Sequence, residues 1–283
     1  MVEPEFDGID RQLNAAASRK FRVFGIRRCG QHAVINWLLR NCGQENHIFL
    51  NSCTMGKSAI RTCGQSEING RQARRAHPLK KMLEPLLTQG KSPFVLISYE
   101  AGYPPSQFEA GNLTNGFSNR DFESEILITR SFVNWLPSFI RLMRVMNRSA
   151  EPQGLDISAG ITFEMQRYRD HLIAALASEH RVISFDNWFT EPEYRLSILE
   201  ALDLPAIDNG LGEVQVYGGG SSFTKFALGA NELELNSRWK SMLEDPFAKQ
   251  FLKLAQKDIR LMTALERGYP EDIGLMNKLL KNT

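Results

Sequence analysis

The chain has 283 residues, 42% of them apolar and 23% charged, which is typical of a folded globular protein. Its 34 Lys and Arg residues nearly balance 32 Asp and Glu residues, and a formal charge of +2 excludes a general attraction to nucleic acid or to an anionic membrane. No apolar run approaches the roughly 18 residues that span a bilayer, and the N-terminus lacks a signal-peptide pattern, so we expect a cytoplasmic protein.

Short apolar runs alternate with helical patterns along the chain. Strand-like runs occupy residues 21–26, 47–50, 94–99, 126–129 and 181–185. Helical periodicity predicts helices over residues 78–89, 132–146, 162–178, 191–202 and 245–267. Strands that alternate with helices form parallel sheets covered on both faces. We therefore expect an α/β fold, a P-loop-like three-layer arrangement with a mainly parallel central sheet flanked by helices.

The segments outside these elements define the expected domain organisation. One domain over residues 1–283 is expected, because α/β folds of this size often form a single unit. Residues 1–19 precede the first strand as an N-terminal extension. Residues 52–77 and 102–120 read as irregular and are predicted to be lids or acceptor loops, since long loops in compact domains usually bind ligands.

The first strand leads through a turn bounded by glycines into an apolar-periodic helix. Such a turn exposes backbone N–H groups, and the positive end of the helix favours a phosphate or sulfate. The two glycines have Walker A spacing, but Gln31 and His32 replace the Lys and Ser/Thr that bind the phosphates and Mg²⁺. Arg27 and Arg28 supply positive charge within the loop instead. The sequence therefore predicts a metal-free anion site, with a plain surface turn as the alternative.

The cysteines favour no metal centre. Their spacing to one another and to histidines matches no pattern typical of zinc ligands. We therefore predict free thiols at Cys29, Cys42, Cys53 and Cys63.

A second anion site is predicted at the end of the fourth strand-like run. Arg130 ends this run, and Ser138 follows eight residues later on the next helix. With Asn134 and Arg141, Ser138 forms a polar stripe opposite the apolar face of that helix. Open α/β folds bind ligands at strand ends, and a guanidinium offers a bidentate fork to phosphate. We predict that Arg130 and Ser138 hold one anionic group.

In order and spacing these motifs resemble those of the sulfotransferases that use 3′-phosphoadenosine-5′-phosphosulfate (PAPS). Arg28, Cys29 and Gly30 take the place of the family's loop for the 5′-phosphosulfate. Arg130 and Ser138 match the family's pair for the 3′-phosphate. Residues 181–205 and 237–240 are similar to the family's later strand, turn and helix, and to the segment before its last helix.

The resemblance implies which residues contact the co-substrate. Phe185 would take the position of an aromatic residue near adenine, and residues 218–222 resemble a late glycine-rich loop around the 3′-phosphate. Cys29 replaces the usual loop serine, and Ala33 stands where many members have a tryptophan, which indicates a divergent, bacterial-type member. The implied contacts are Arg27, Arg28, Cys29, Gly30, Gln31, His32, Ala33, Arg130, Ser138, Phe185, Gly218, Gly219, Gly220, Ser221 and Ser222.

Sulfuryl transfer to an alcohol needs a base for the hydroxyl proton and a cation for the charge on the departing phosphate. We assign the second task to Arg28. Glu100 follows the third strand-like run, where the family has a histidine or another base, and is our first candidate for the base. His32 is the rival base, although a helix N-terminus favours its neutral form.

The expected function is transfer of a sulfuryl group from PAPS to a hydroxyl or amine, with release of 3′-phosphoadenosine-5′-phosphate (PAP) and no metal required. The acceptor would be a carbohydrate, a lipid or a small metabolite, and no nucleic acid partner is expected. Two alternatives stay open. One is a catalytically silent nucleotide-binding protein, and the other is a P-loop nucleotide or sugar kinase.

Overall fold

A central seven-stranded sheet organises the molecule. A computed structural model describes residues 4–73, 76–100, 116–149, 157–177, 181–213 and 235–281. The strand order is β4-β3-β2-β5-β1-β6-β7. The strands β2, β5, β1, β6 and β7 are parallel, and β3 pairs antiparallel with both β2 and β4. The strands are β1 (Arg19–Gly25), β2 (His47–Asn51), β3 (Gln65–Ile68), β4 (Arg71–Ala73), β5 (Phe94–Tyr99), β6 (Ser124–Thr129) and β7 (Arg181–Ser184).

Helices cover both faces of this sheet, which confirms the predicted three-layer α/β fold. None of the helices in the described ranges has the length and apolar character needed to cross a bilayer. The helices are α1 (Pro4–Ala16), α2 (Gln31–Arg40), α3 (Ala59–Thr62), α4 (Ala76–Thr88), α5 (Phe132–Ser149), α6 (Ile157–Ala177), α7 (Phe185–Thr190), α8 (Pro192–Ala201), α9 (Pro246–Lys257), α10 (Ile259–Gly268) and α11 (Pro270–Lys281).

Alternating side chains of the central strands build two separate cores. In β1, Phe21 and Val23 lie in the core shared with α2, α5 and the C-terminal helices. Phe24 points to the opposite face, where a second core includes residues of α1, α3 and α4. Successive strand residues face opposite sides, so a strand that is apolar throughout can bury both faces.

The prediction of an irregular loop over residues 52–77 is wrong. Helix α3, strands β3 and β4 and the start of α4 lie in this range. The two strands meet at Asn69 and Gly70, whose φ angles are 50° and 78°. Asn-Gly with two positive φ angles is the preferred turn of a tight hairpin. Most of the other predicted loop, residues 101–115, lies outside the described residues.

Two further elements differ from the sequence pattern. The single helix predicted over 245–267 is wrong: α9 ends at Lys257, and Asp258 caps a new helix by accepting from Leu261 N at 3.0 Å. The N-terminal extension contains α1, which is anchored by the buried side chains of Phe6, Ile9 and Leu13. This helix is therefore an integral part of the second core.

Candidate anion and acceptor site

Strand order brings the predicted site residues to one edge of the sheet. Strand β1 lies between β5 and β6 and is parallel to both. The loop after β1, Glu100 after β5 and Arg130 after β6 therefore leave the sheet side by side at its carboxyl edge. Open α/β sheets bind ligands at this edge, beside the strand from which successive connections run to opposite sides of the sheet.

The loop after β1 has an unusual backbone. Arg28 has φ 70°, and Gly30, directly before α2, has φ 93°. For a non-glycine residue such as Arg28, this left-handed conformation costs about 1–3 kcal/mol and is concentrated at functional sites. Gly30 caps α2 without a side-chain hydrogen bond. The free backbone N–H groups at the start of α2 therefore lie beside a loop that carries two arginines.

Gly30 also packs directly on Phe185, the first residue of α7. A Cβ atom added to Gly30 would lie 2.4 Å from the Phe185 ring, closer than any normal contact. Phe185 itself is buried and stacks on Trp188. The Phe185 ring packs against the loop. Adenine could therefore contact this ring only if the ring became exposed.

We expect Gly30→Ala to lower the free energy of unfolding by about 2–5 kcal/mol, because left-handed strain and overpacking against Phe185 add together. Chemical denaturation measures this loss. Gly90→Ala is the matched control: Gly90 also has a positive φ, 64°, but faces open space. The control should lose only the conformational part, about 1–2 kcal/mol. Equal losses for both variants would contradict a tight contact between Gly30 and Phe185.

Arg130 is buried at the centre of the site. Its guanidinium donates to the Arg28 carbonyl oxygen at 3.1 Å and to the Leu235 carbonyl oxygen at 3.0 Å. It lies over the Phe185 ring, 4.9 Å from the centroid, and its Nε has no hydrogen-bond partner among the described residues. Burial lowers the pKa of Arg130, and the charge of Asp186 offsets part of this effect. Arg130 thus joins the loop to the segment after residue 234.

A third arginine, which the sequence prediction missed, completes the cluster. Arg238 lies in a 3₁₀ helix, Leu235–Met242, that packs on α5. Arg238 is buried and donates to Ser138 Oγ. The side chain of Ser138 is buried as well. Burial first, and the positive charges of Arg130 and Arg28 next, lower the pKa of Arg238 to about 8. The resemblance singled out residues 237–240 but assigned Arg238 no role.

We call Arg28, Arg130 and Arg238, together with Ser138, the arginine cluster. Burial and the charge of Arg130 lower the pKa of Arg28, which Glu100 partly offsets. Guanidinium groups donate forked hydrogen bonds to phosphate and sulfate oxygens, and a hydroxyl adds a further donor. The cluster is therefore suited to hold a multiply charged anionic group.

Two buried aspartates fix the start of α5 below the cluster. Asp186 accepts from the backbone N of Ser131 at 2.7 Å. Asp272, on α11, accepts from Ser131 Oγ at 2.7 Å and from Phe132 N at 2.6 Å. These bonds satisfy donors that every helix N-terminus leaves open. They hold the helix that carries Ser138 in a fixed position relative to Arg130.

We expect Asp272 to make stability depend on pH. Burial raises the pKa of Asp272 to about 7 from its usual 3.8, so the folded state binds a proton that the unfolded chain has lost. Its contribution to stability is therefore present below pH ~4 and is lost as pH rises to ~7, with a slope of at most about 1.4 kcal/mol per pH unit. Asp272→Asn should remove this slope, as denaturation at pH 5 and pH 8 would show.

Glu271→Gln, at the exposed neighbour of Asp272, is the control for the loss of a carboxylate from the same helical turn. It should keep the pH dependence of the unmodified protein. If Asp272→Asn keeps it too, another group is responsible.

The two candidate bases, Glu100 and His32, lie close together beside the loop after β1. Glu100 Oε1 lies 3.8 Å from His32 Nε2, and its other oxygen lies 4.0 Å from Arg27 Nε. His32 Nε2 also lies 3.1 Å from the Asn51 side-chain oxygen, which accepts from Ser98 Oγ at 2.9 Å. Because an amide oxygen only accepts, His32 Nε2 is a donor. Burial lowers the pKa of His32, which favours its neutral form.

The remaining predicted contacts are distributed as follows. Cys29 is buried, and burial raises the pKa of its thiol to about 12, so it is not a thiolate. Gln31 is buried as well, and neither atom of its amide has a partner among the described residues. Ala33 is half-buried and packs on the first core. Gly218, Gly219, Gly220, Ser221 and Ser222 lie outside the described residues.

Comparisons with known proteins add no relative. No protein-family model matches the chain, and neither the curated proteins nor the solved structures contain a match. Within the described ranges, no group of three or more His, Cys, Asp or Glu side chains forms a potential metal centre. The chemistry of the site must therefore be argued from its own residues.

Proposed function

We propose that this protein is a PAPS-dependent sulfotransferase. The observation that carries the proposal is the arginine cluster. Its three arginines and its buried serine lie around the loop that connects the central strand β1 to helix α2. PAPS carries anionic groups at both its 3′ and 5′ positions, and arginine forks suit both. The acceptor is a hydroxyl or amine of a carbohydrate, lipid or small metabolite of the cytoplasm.

The residues divide between the two ends of the co-substrate. The loop with Arg28 and the N-terminus of α2 would hold the 5′-phosphosulfate, as helix N-termini bind anions. Ser138, Arg130 and Arg238 would hold the 3′-phosphate. The Arg130 bond to the Arg28 carbonyl, 3.1 Å long, connects the two ends, so occupation of one end would order the other.

The chemical step is a direct displacement at sulfur. The acceptor oxygen forms a bond to sulfur, the bond between sulfur and the 5′-phosphate oxygen breaks, and PAP leaves with the electron pair of that bond. Arg28 stabilises the negative charge that grows on the phosphate. Glu100 takes the acceptor proton. His32 is the weaker candidate, because burial lowers its pKa and so makes its imidazole a weaker base.

Thermal denaturation with nucleotides tests the proposal. PAP without divalent metal should stabilise the protein, by roughly 2.7 kcal/mol at a hundredfold excess over Kd, because arginines and backbone amides supply the neutralising charge. Adenosine-5′-phosphosulfate, which lacks the 3′-phosphate, should stabilise it less. If ATP with Mg²⁺ stabilises the protein and PAP does not, the kinase alternative is correct. If PAP binds but PAPS sulfates no hydroxyl acceptor, the protein is a silent binder.

A further inference from the structure

Two buried aromatic side chains donate to backbone carbonyl groups at the two ends of the anion site. Trp135, on α5, donates from Nε1 to the Arg27 carbonyl oxygen at 2.8 Å. Tyr168, on α6, donates from its hydroxyl to the Arg130 carbonyl oxygen at 2.6 Å. Arg27 directly precedes Arg28 in the loop after β1, and Arg130 directly follows β6. The two donors therefore hold the backbone beside the proposed 5′ position and beside the proposed 3′ position.

The two donor rings are also in contact with each other. The ring centroids of Trp135 and Tyr168 lie 4.8 Å apart. Phe132 packs against both rings, and Phe139 stacks on Trp135 with its centroid at 5.5 Å. All four side chains are buried, and rings packed at the density of a protein interior have little freedom to shift. The separation of the two carbonyl groups is consequently fixed by a rigid aromatic contact.

Burial alone does not explain the hydrogen bond of Trp135. Trp37 and Trp188 are buried too, yet neither of their Nε1 atoms has a hydrogen-bond partner among the described residues. The core of this chain thus accommodates an indole without such a bond. The one to the Arg27 carbonyl oxygen is therefore best explained by what it does to the loop.

We propose that Trp135 and Tyr168 are positioning residues that set the separation of the two anion positions, an inference that rests on the proposed function. A ligand with two anionic groups binds most tightly when the two positions match its own spacing, because its second group then binds without further ordering of the protein. A ligand with one anionic group gains no affinity from this spacing. The two rings would therefore favour PAP and PAPS over nucleotides that are charged at one end.

Calorimetric titration of Trp135→Phe and Tyr168→Phe tests the spacing. Each substitution keeps an aromatic ring in the core and removes one hydrogen-bond donor, and Tyr168→Phe changes the packing least. We expect the Kd for PAP to rise about fivefold or more in each variant, the usual effect of one lost hydrogen bond. The Kd values for adenosine-5′-phosphosulfate and adenosine-3′-monophosphate should stay nearly unchanged. A general loss of structure would weaken all three ligands together.

Trp37→Phe and Tyr194→Phe are the matched controls. Trp37→Phe removes the same atoms from another buried indole, whose Nε1 has no hydrogen-bond partner in the described ranges. Tyr194→Phe removes a hydroxyl that donates to the Val182 carbonyl oxygen, on β7, at 3.5 Å. Both controls should bind PAP as the unmodified protein does.

Alkane-1,n-bisphosphonates of increasing chain length measure the spacing independently of the proposed function, because they carry two anionic groups and no nucleoside. We expect the affinity of the unmodified protein to peak at one chain length. The peak should be lost in the double variant Trp135→Phe/Tyr168→Phe, because a variable separation accommodates several lengths equally well.

The outcomes separate the spacing from the sulfotransferase assignment. Unchanged PAP affinity in both variants overturns the spacing and leaves the assignment standing. An equal loss for PAP and for a ligand charged at one end also overturns it, because each residue would then shape only its own end. If PAP does not bind, but one bisphosphonate length is preferred and the double variant loses this preference, the spacing is supported and the assignment fails. If neither PAP nor any bisphosphonate binds, both fail.

Discussion

Arg238→Met is expected to weaken PAP binding roughly 10- to 150-fold without lowering the melting temperature. The loss of affinity corresponds to about 1.5–3 kcal/mol, the usual contribution of a hydrogen bond to a charged group. Stability should not fall, because burial and the neighbouring arginines lower the pKa of Arg238 and so make its charged form unfavourable in the folded protein. Calorimetric titration with PAP and a thermal melt of the ligand-free protein measure the two effects.

Arg141→Gln separates direct contact from general charge. Arg141 lies on α5, is exposed, and influences Arg238 through its charge. Its removal should weaken PAP much less, and added salt should reduce the effect further. If Arg238→Met binds PAP normally, Arg238 does not contact the ligand. If the variant loses stability and affinity together, Arg238 supports the fold. The affinity of Arg238→Met for adenosine-5′-phosphosulfate should stay nearly unchanged, because that ligand has no 3′-phosphate.

Glu100→Gln should lower the rate of sulfate transfer from PAPS by roughly 10²- to 10⁴-fold, the usual effect of removing a general base. Glutamine keeps the shape and an acceptor oxygen but takes no proton at neutral pH. PAP affinity and melting temperature should therefore stay as in the unmodified protein. A coupled assay of PAP release with the acceptor, followed under single-turnover conditions, measures the chemical step directly.

Glu123→Gln is the matched control for Glu100→Gln. Glu123 pairs with Arg19 at 2.8 Å on the surface, so its replacement removes the same charge without touching the site. The control should transfer sulfate at the normal rate. Normal transfer by Glu100→Gln together with loss of turnover in His32→Asn, with PAP still bound, would assign the base to His32.

The sequence located candidate residues best where a local pattern determines their position. Apolar runs locate strand ends, and in a parallel sheet those ends meet at one edge. For this reason the sequence places Arg28, Glu100 and Arg130 at the ends of strand-like runs. Their partner Arg238 could not be located in this way, because it comes from a short 3₁₀ helix with no periodic pattern. Only its tertiary contact with Ser138 brings it to the site.

The helix α5 shows why periodicity is insufficient for a polar stripe. The pattern separated Asn134 and Ser138 from the apolar face, which is typical of solvent exposure. Both side chains are buried, however, because the 3₁₀ helix of Arg238 covers them. A polar stripe that is covered by another element indicates a candidate site. The sequence contains no local signal for the covering 3₁₀ helix. The β3–β4 hairpin was missed for a simpler reason: its strands of four and three residues are too short for an alternating pattern.

The position of β1 in the sheet has a consequence for folding kinetics. Phe21 of this strand is aligned with Leu96 on one side and with Ser124 on the other, and both partners are distant in sequence. Pairings between distant segments form slowly, because loop-closure entropy is lost before the contacts stabilise the chain. The arginine cluster thus has no binding-competent form until most of the chain has been synthesised and paired. A nucleotide that binds the cluster should consequently slow unfolding more than it accelerates folding.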